Sequence, residues 1–133
     1  MKATAQYRAD EIIEAVSRYF QLRDGQIKGA RGSHYVSTAR HYAFYLLDTH
    51  LNLSYADIGR LFGRDHTSVM YGVRRIAEQR RLYDEMNNEL LRLEAIIGEG
   101  VEASKERERE FLRAELNKLL ERAEAIKERI EMI

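Results

Sequence analysis

The stretch Ser54–Ile76, SYADIGRLFGRDHTSVMYGVRRI, decides how the chain folds. Ser54 precedes an apolar-periodic run, and Asp57 three residues on completes a capping-box-like S-x-x-D start for a helix. Ile58, Leu61 and Phe62 give that helix its apolar face, and Gly63 stands where a left-handed residue would end it. A second helix is predicted from Asp65 or His66, with Val69, Val73 and Ile76 turned inward. Two helices about four residues apart, with a glycine between them, have the layout of a helix-turn-helix. Gly59, one turn before Gly63, lets the second helix come close, so Gly59 and Gly63 together make the turn.

Upstream, Ile12, Ile13, Val16 and Phe20 fall at helical spacing, with Asp10 and Glu11 in the first turn, which predicts a helix over 9–20. DGQIKGARGSH (24–34) reads as a loop carrying Lys28 and Arg31. A third helix is predicted over 37–50, with Ala39, Tyr42, Ala43, Leu46 and Leu47 as its apolar stripe.

Downstream the spacing changes. Tyr83, Met86, Leu90, Leu93 and Ile97 recur at alternating steps of three and four, and so do Leu112, Leu116, Leu119, Ala123, Ile126, Ile130 and Ile133 after GEG (98–100). That is the a/d seam of a heptad pattern. Two such helices joined by a glycine-rich loop predict an antiparallel hairpin or a coiled coil between chains over 82–133. The second helix, from about residue 103, is the longer one, which leaves part of its seam without a partner in a hairpin. Leu112, Leu116, Leu119, Ile126 and Ile130 are therefore expected to join copies of the chain. The expected fold is all-α: a helix-turn-helix domain over 8–81, then the heptad-patterned tail.

Composition agrees with helix throughout. The 133 residues include no proline and only 8 glycines, with 44% hydrophobic and 33% charged residues. Cysteine is absent, which excludes disulfides and thiolate metal sites and fits a reducing cytoplasm. No run of about 18 apolar residues and no apolar leader segment is present, so neither a membrane span nor a secretory signal is expected. Net charge is +0, but residues 1–81 carry 13 Lys/Arg against 8 Asp/Glu, and residues 82–133 carry 9 against 14. The basic front suits a polyanion that the acidic rear would repel.

Catalysis and metal binding fare poorly. His34, His41, His50 and His66 form no HExxH and no ligand pair with a carboxylate. Asp65, His66 and Ser68 are triad residue types, but side chains nearly adjacent at a helix start diverge around its axis. There is no phosphate-cradling glycine loop, so no nucleotide and no cofactor are expected. The start of a second helix in this layout instead points into a major groove, and there stand His66, Thr67 and Ser68. His and Thr can bond base edges, and free N–H groups at the helix start suit a phosphate. Asp65 can accept from a cytosine amine or act as N-cap. Arg74 and Arg75, two turns on, are placed for phosphates.

The run Gly63-Arg64-Asp65-His66-Thr67-Ser68-Val69 resembles the Gly-Arg-Asp-His-Thr-Thr-Val signature of the C-terminal DNA-binding domain of the bacterial replication initiator DnaA. The likeness extends back through SYADIGRLFG to DEIIEAVSRYFQL and covers about residues 8–80. It implies an all-helical domain that binds a short duplex box, with bases read by Asp65, His66 and Thr67. It further implies backbone contacts by Arg64 and Ser68, and in the long helix by Arg40 and by His41, which replaces a glutamine. Three departures stand out: one glycine in place of a frequent pair before the Arg-Asp-His, Gly32 where the family's minor-groove arginine falls (with Arg31 adjacent), and Asp48 where a phosphate-binding lysine falls. No AAA+ ATPase module occurs in these residues, and the acidic tail has no counterpart in that domain.

The expected function is sequence-specific double-stranded DNA binding by a self-associating protein, in replication or transcription control, with a phage or mobile element as one setting. One alternative is a phage small terminase-like packaging subunit, whose oligomeric ring would matter more than the box. Another is an adaptor that has turned the old DNA surface to protein contacts, which the loop change and Asp48 would favour.

Overall fold

The computed structural model describes residues 2–29 and 32–133. Every regular element among them is helical: α1 (Lys2–Tyr19), a 3₁₀ turn (Gln26–Lys28), α2 (His34–Leu51), α3 (Tyr55–Phe62), α4 (His66–Leu82), α5 (Asp84–Glu99) and α6 (Val101–Met132). The chain divides into two units, Met1–Glu99 and Gly100–Ile133.

In the first unit α2 is the central element, packed against α1, α3, α4 and the 3₁₀ turn. Its Ala39, Ala43, Leu46 and Leu47 are fully buried, as are Val16 of α1, Ile58 of α3 and Val69 and Ile76 of α4. Edge-to-face aromatic pairs, Phe20–Tyr42 and Phe44–Phe62, each at 5.0 Å, bind α2 to the segments on either side. Both early helices start before their apolar stripes do. α1 begins at Lys2, ahead of the expected start at Ala9, because residues 2–8 are mostly competent helix formers that carry no stripe to reveal them. α2 begins at His34, ahead of Ser37, because Ser33 caps it: its Oγ accepts from the Val36 N–H at 3.4 Å.

The main correction concerns α5. Its seam residues Leu90, Leu93 and Ile97 are buried while α5 packs on α1 and α4, so they belong to the first unit's core. The boundary falls after Glu99, not after Arg81. A polar network reinforces the packing. Arg80 donates to Tyr45 Oη at 3.2 Å, to Asn87 Oδ1 at 2.9 Å and to Glu94 Oε1 at 2.7 Å. Glu94 Oε2 lies 2.8 Å from His50 Nε2. Burial disfavours the charged Glu94, but its bonds from Arg80 and His50 outweigh burial and hold the carboxyl below the ordinary range.

A depressed folded-state pKa stabilises the fold above the unfolded value and loses that contribution as pH falls through the folded value. Acid titration should therefore weaken the domain below the ordinary carboxylate range. Glu94→Gln should flatten that part of the profile, measured as urea midpoint against pH. An unchanged profile would mean that the network does not couple to folding.

In the second unit α6 exposes its heptad positions: Leu112, Leu116, Leu119, Ile126 and Ile130 are each more than half exposed. Ion pairs such as Arg109–Glu106 and Lys118–Glu115 are local ones along the helix. No described helix is long and apolar enough to cross a membrane.

Candidate nucleic-acid interface

The α3–α4 corner sets the site. Ser54 Oγ accepts from the Asp57 N–H at 3.0 Å and so starts α3, while Asp57 also pairs with Arg60. The Ser54 hydroxyl, then Arg60, hold the Asp57 carboxyl below its usual value. Gly63 ends α3 at φ 63, ψ 36, a left-handed conformation that costs glycine least. Its N–H and that of Arg64 both donate to the Gly59 carbonyl, the latter at 2.8 Å. The turn comes so near that a Cβ on residue 59 would overlap the Arg64 carbonyl oxygen.

That corner delivers the chain to Asp65, which caps α4: its Oδ1 accepts from the Thr67 N–H at 3.3 Å. The same oxygen lies 3.1 Å from His66 Nδ1, and both side chains are about two-thirds exposed. Thr67 and Ser68 are exposed beside them, while Val69, Gly72, Val73 and Ile76 are buried on the opposite side of α4.

The basic residues divide by role. Arg74 is exposed. Arg75 donates through Nη1 to His41 Nδ1 at 2.9 Å. Burial, then the charges of Arg75 and Arg40, push the His41 pKa down to about 4. His41 is thus neutral near pH 7, and a neutral ring that accepts at Nδ1 carries its proton on Nε2. His41 is half-buried and engaged with Arg75, not displayed as a free surface group.

Arg40 also differs from its expected place. It is buried, donating through Nε to the Ile27 carbonyl at 2.8 Å and through Nη2 to the Gly29 carbonyl at 3.1 Å. Arg64 Nη2 reaches the same Gly29 oxygen at 2.7 Å, and its Nη1 reaches the Phe62 carbonyl at 3.3 Å. Two arginines expected on phosphates thus fasten the 27–29 loop to α2 and to the α3–α4 turn. Lys28 on that loop is exposed, its Nζ 5.9 Å from the Phe62 ring centre. Arg31 lies outside the described residues.

Sequence reasoning missed the acceptors in this arrangement. A loop carbonyl such as that of Gly29 leaves no trace in residue type, and it sits 35 positions from Arg64. Among the described residues, Arg40, Arg64, Arg74 and Arg75 have no carboxylate partner, whereas Arg60 pairs with Asp57 and Arg80 with Glu94. The two guanidiniums at Gly29 repel one another: after burial, the charge of Arg64 lowers the pKa of Arg40.

Several proteins share this segment. The chromosomal replication initiator protein DnaA of Leifsonia xyli subsp. xyli is 41% identical over 81 residues, covering 57% of this chain and 17% of its own length. The DnaA protein of Chloroflexus aggregans is 36% identical over 84 residues, covering 62% and 18%. That of Clavibacter sepedonicus is 41% identical over 81 residues, covering 57% and 17%. The chain thus spans less than a fifth of these relatives. Residues 9–76, from α1 through the buried part of α4, match the family described as the bacterial dnaA protein helix-turn-helix, and the chain belongs to that family.

Proposed function

We propose that this chain binds double-stranded DNA sequence-specifically, with the start of α4 in the major groove. The unneutralised cations of α2, the α3–α4 turn and α4 support it. Arg40, Arg64, Arg74 and Arg75 lack carboxylate partners among the described residues, and two of the four converge on one carbonyl despite their repulsion. Such a cluster favours an anion, and duplex phosphates supply one at regular spacing. Asp65, His66 and Thr67 read bases. His66, exposed beside Asp65, offers a ring nitrogen to a base edge. Asp65 remains the cap whether or not it also meets a cytosine amine. Ser68, Lys28, Arg74 and Arg75 contact phosphates, with His41 orienting Arg75 and with Arg40 and Arg64 shaping the loop and adding positive potential.

The setting we infer is control of replication or of transcription at duplex boxes, since the relatives are named replication initiators. In this assignment the chain is a binding protein, not an enzyme. The exposed stripe of α6 joins copies of the chain, so that two weak readers act at one raised effective concentration.

Paired substitutions test the roles. Thr67→Ala or His66→Ala should lower discrimination between the preferred box and random duplex by about 1–3 kcal/mol. Arg74→Ala should weaken both duplexes alike and reduce the slope of affinity against salt by about one. Fluorescence anisotropy titrations at several salt concentrations measure both. Equal losses on box and random duplex from Thr67→Ala would contradict base reading by that residue.

A further inference from the structure

We propose that Tyr71 is a further specificity-determining residue of this face, its ring meeting the 5-methyl group of a thymine one helical turn beyond the base read by Thr67. This rests on the duplex reading above. Thr67, Tyr71 and Arg74 recur at steps of four and three, which puts them on one ridge of α4. That ridge lies opposite the buried Val69, Gly72, Val73 and Ile76. From Thr67 to Arg74 the helix rises about 10 Å, close to the ~12 Å width of a major groove. The next residue of the ridge is the exposed Glu78, whose charge phosphates would repel. Tyr71 therefore stands between a base reader and a phosphate cation, on the part of the ridge that still lies within the groove.

The ring is both exposed and held. Tyr71 is 64% exposed, although it stands beside a well-packed core. His41 meets it edge-on at 5.8 Å and 77°, while His41 itself is braced by Arg75 and Phe44. Helical side chains lean toward the helix N-terminus, which carries this ring toward the reading end. With Thr67, Met70 and Arg74 it lines an open groove of about 610 Å³. Its hydroxyl has no hydrogen-bond partner among the described residues. The apolar feature that a base edge offers at that depth is the thymine methyl.

The test uses the full chain. A preferred duplex is first selected from random sequence, and each thymine in it is then replaced singly by deoxyuridine, which removes only the methyl. The wild type should lose about fourfold in affinity at the position that Tyr71 reads. Tyr71→Phe should keep that loss. Tyr71→Ala should bind the parent duplex about fourfold more weakly and no longer distinguish thymine from deoxyuridine at that one position, with other positions unchanged. If Tyr71→Ala keeps every deoxyuridine penalty, or Tyr71→Phe behaves like Tyr71→Ala, the proposal is overturned, the latter because the hydroxyl would then be the contact. A wild-type chain that enriches no duplex would instead overturn the DNA-reading assignment beneath it.

Discussion

A fragment ending at Arg81 should not fold, whereas one ending at Gly100 should. The heptad-like seam of α5 places Leu90 and Leu93 fully out of solvent and Ile97 nearly so, against α1 and α4. Burying such side chains stabilises by about 1.5–3 kcal/mol each, so removing three forfeits roughly 4.5–9 kcal/mol. A small domain has only about 5–15 kcal/mol in total. The shorter fragment also leaves Arg80 and His50 without Glu94. Urea denaturation followed by circular dichroism should give a cooperative transition for residues 1–100 and none for residues 1–81. A cooperative 1–81 fragment would show that α5 is dispensable to the core. Solution mass on the same samples bears on α6: the full chain should be heavier than a monomer, and the 1–100 fragment a monomer. Self-association of that fragment would remove α6 from the role of joining copies.

Gly59→Ala should be the most damaging single methyl in the helix-turn-helix. The added carbon meets the Arg64 carbonyl oxygen, which is backbone held in a tight turn and cannot rotate away as a side chain would. Overpacking in cores costs about 1–3 kcal/mol even where side chains can shift, and a backbone obstacle places this substitution at or above the top of that range. Relief requires α4 to move from α3, which would displace Asp65, His66 and Thr67 together. Gly63→Ala is the informative comparison. Nothing crowds residue 63, so its cost is the left-handed backbone alone, about 1–2 kcal/mol. Thermal melts should rank the wild type above Gly63→Ala and Gly63→Ala above Gly59→Ala. An unshifted melting temperature in Gly59→Ala would mean that the close approach does not constrain the turn.

Much of the corner was legible because each boundary carries its own chemistry. Ser54 and Asp65 accept backbone N–H groups, and Gly63 takes a left-handed turn, as their residue types imply. The place of α5 was not legible. A seam spaced by three and four residues says that a helix has an apolar face, and says nothing of which element covers it. Leu90, Leu93 and Ile97 look alike in a hairpin and in a domain core. The arginines divide the same way. Sequence marks Arg40 and Arg64 as cations, but their acceptors are carbonyls in a loop brought close only by folding. His41 reads as a surface substitute for a polar residue until burial and Arg75 make it a neutral acceptor.

The most direct test of duplex reading by the α4 start is selection from a pool of random double-stranded sequences with the full chain, in parallel with His66→Ala and Thr67→Ala. The wild type should enrich one short box, and each variant should lose preference at one or two positions of it while still binding duplex. Enrichment of no sequence by the wild type, or the same box with unchanged preferences in both variants, would contradict base reading by His66 and Thr67.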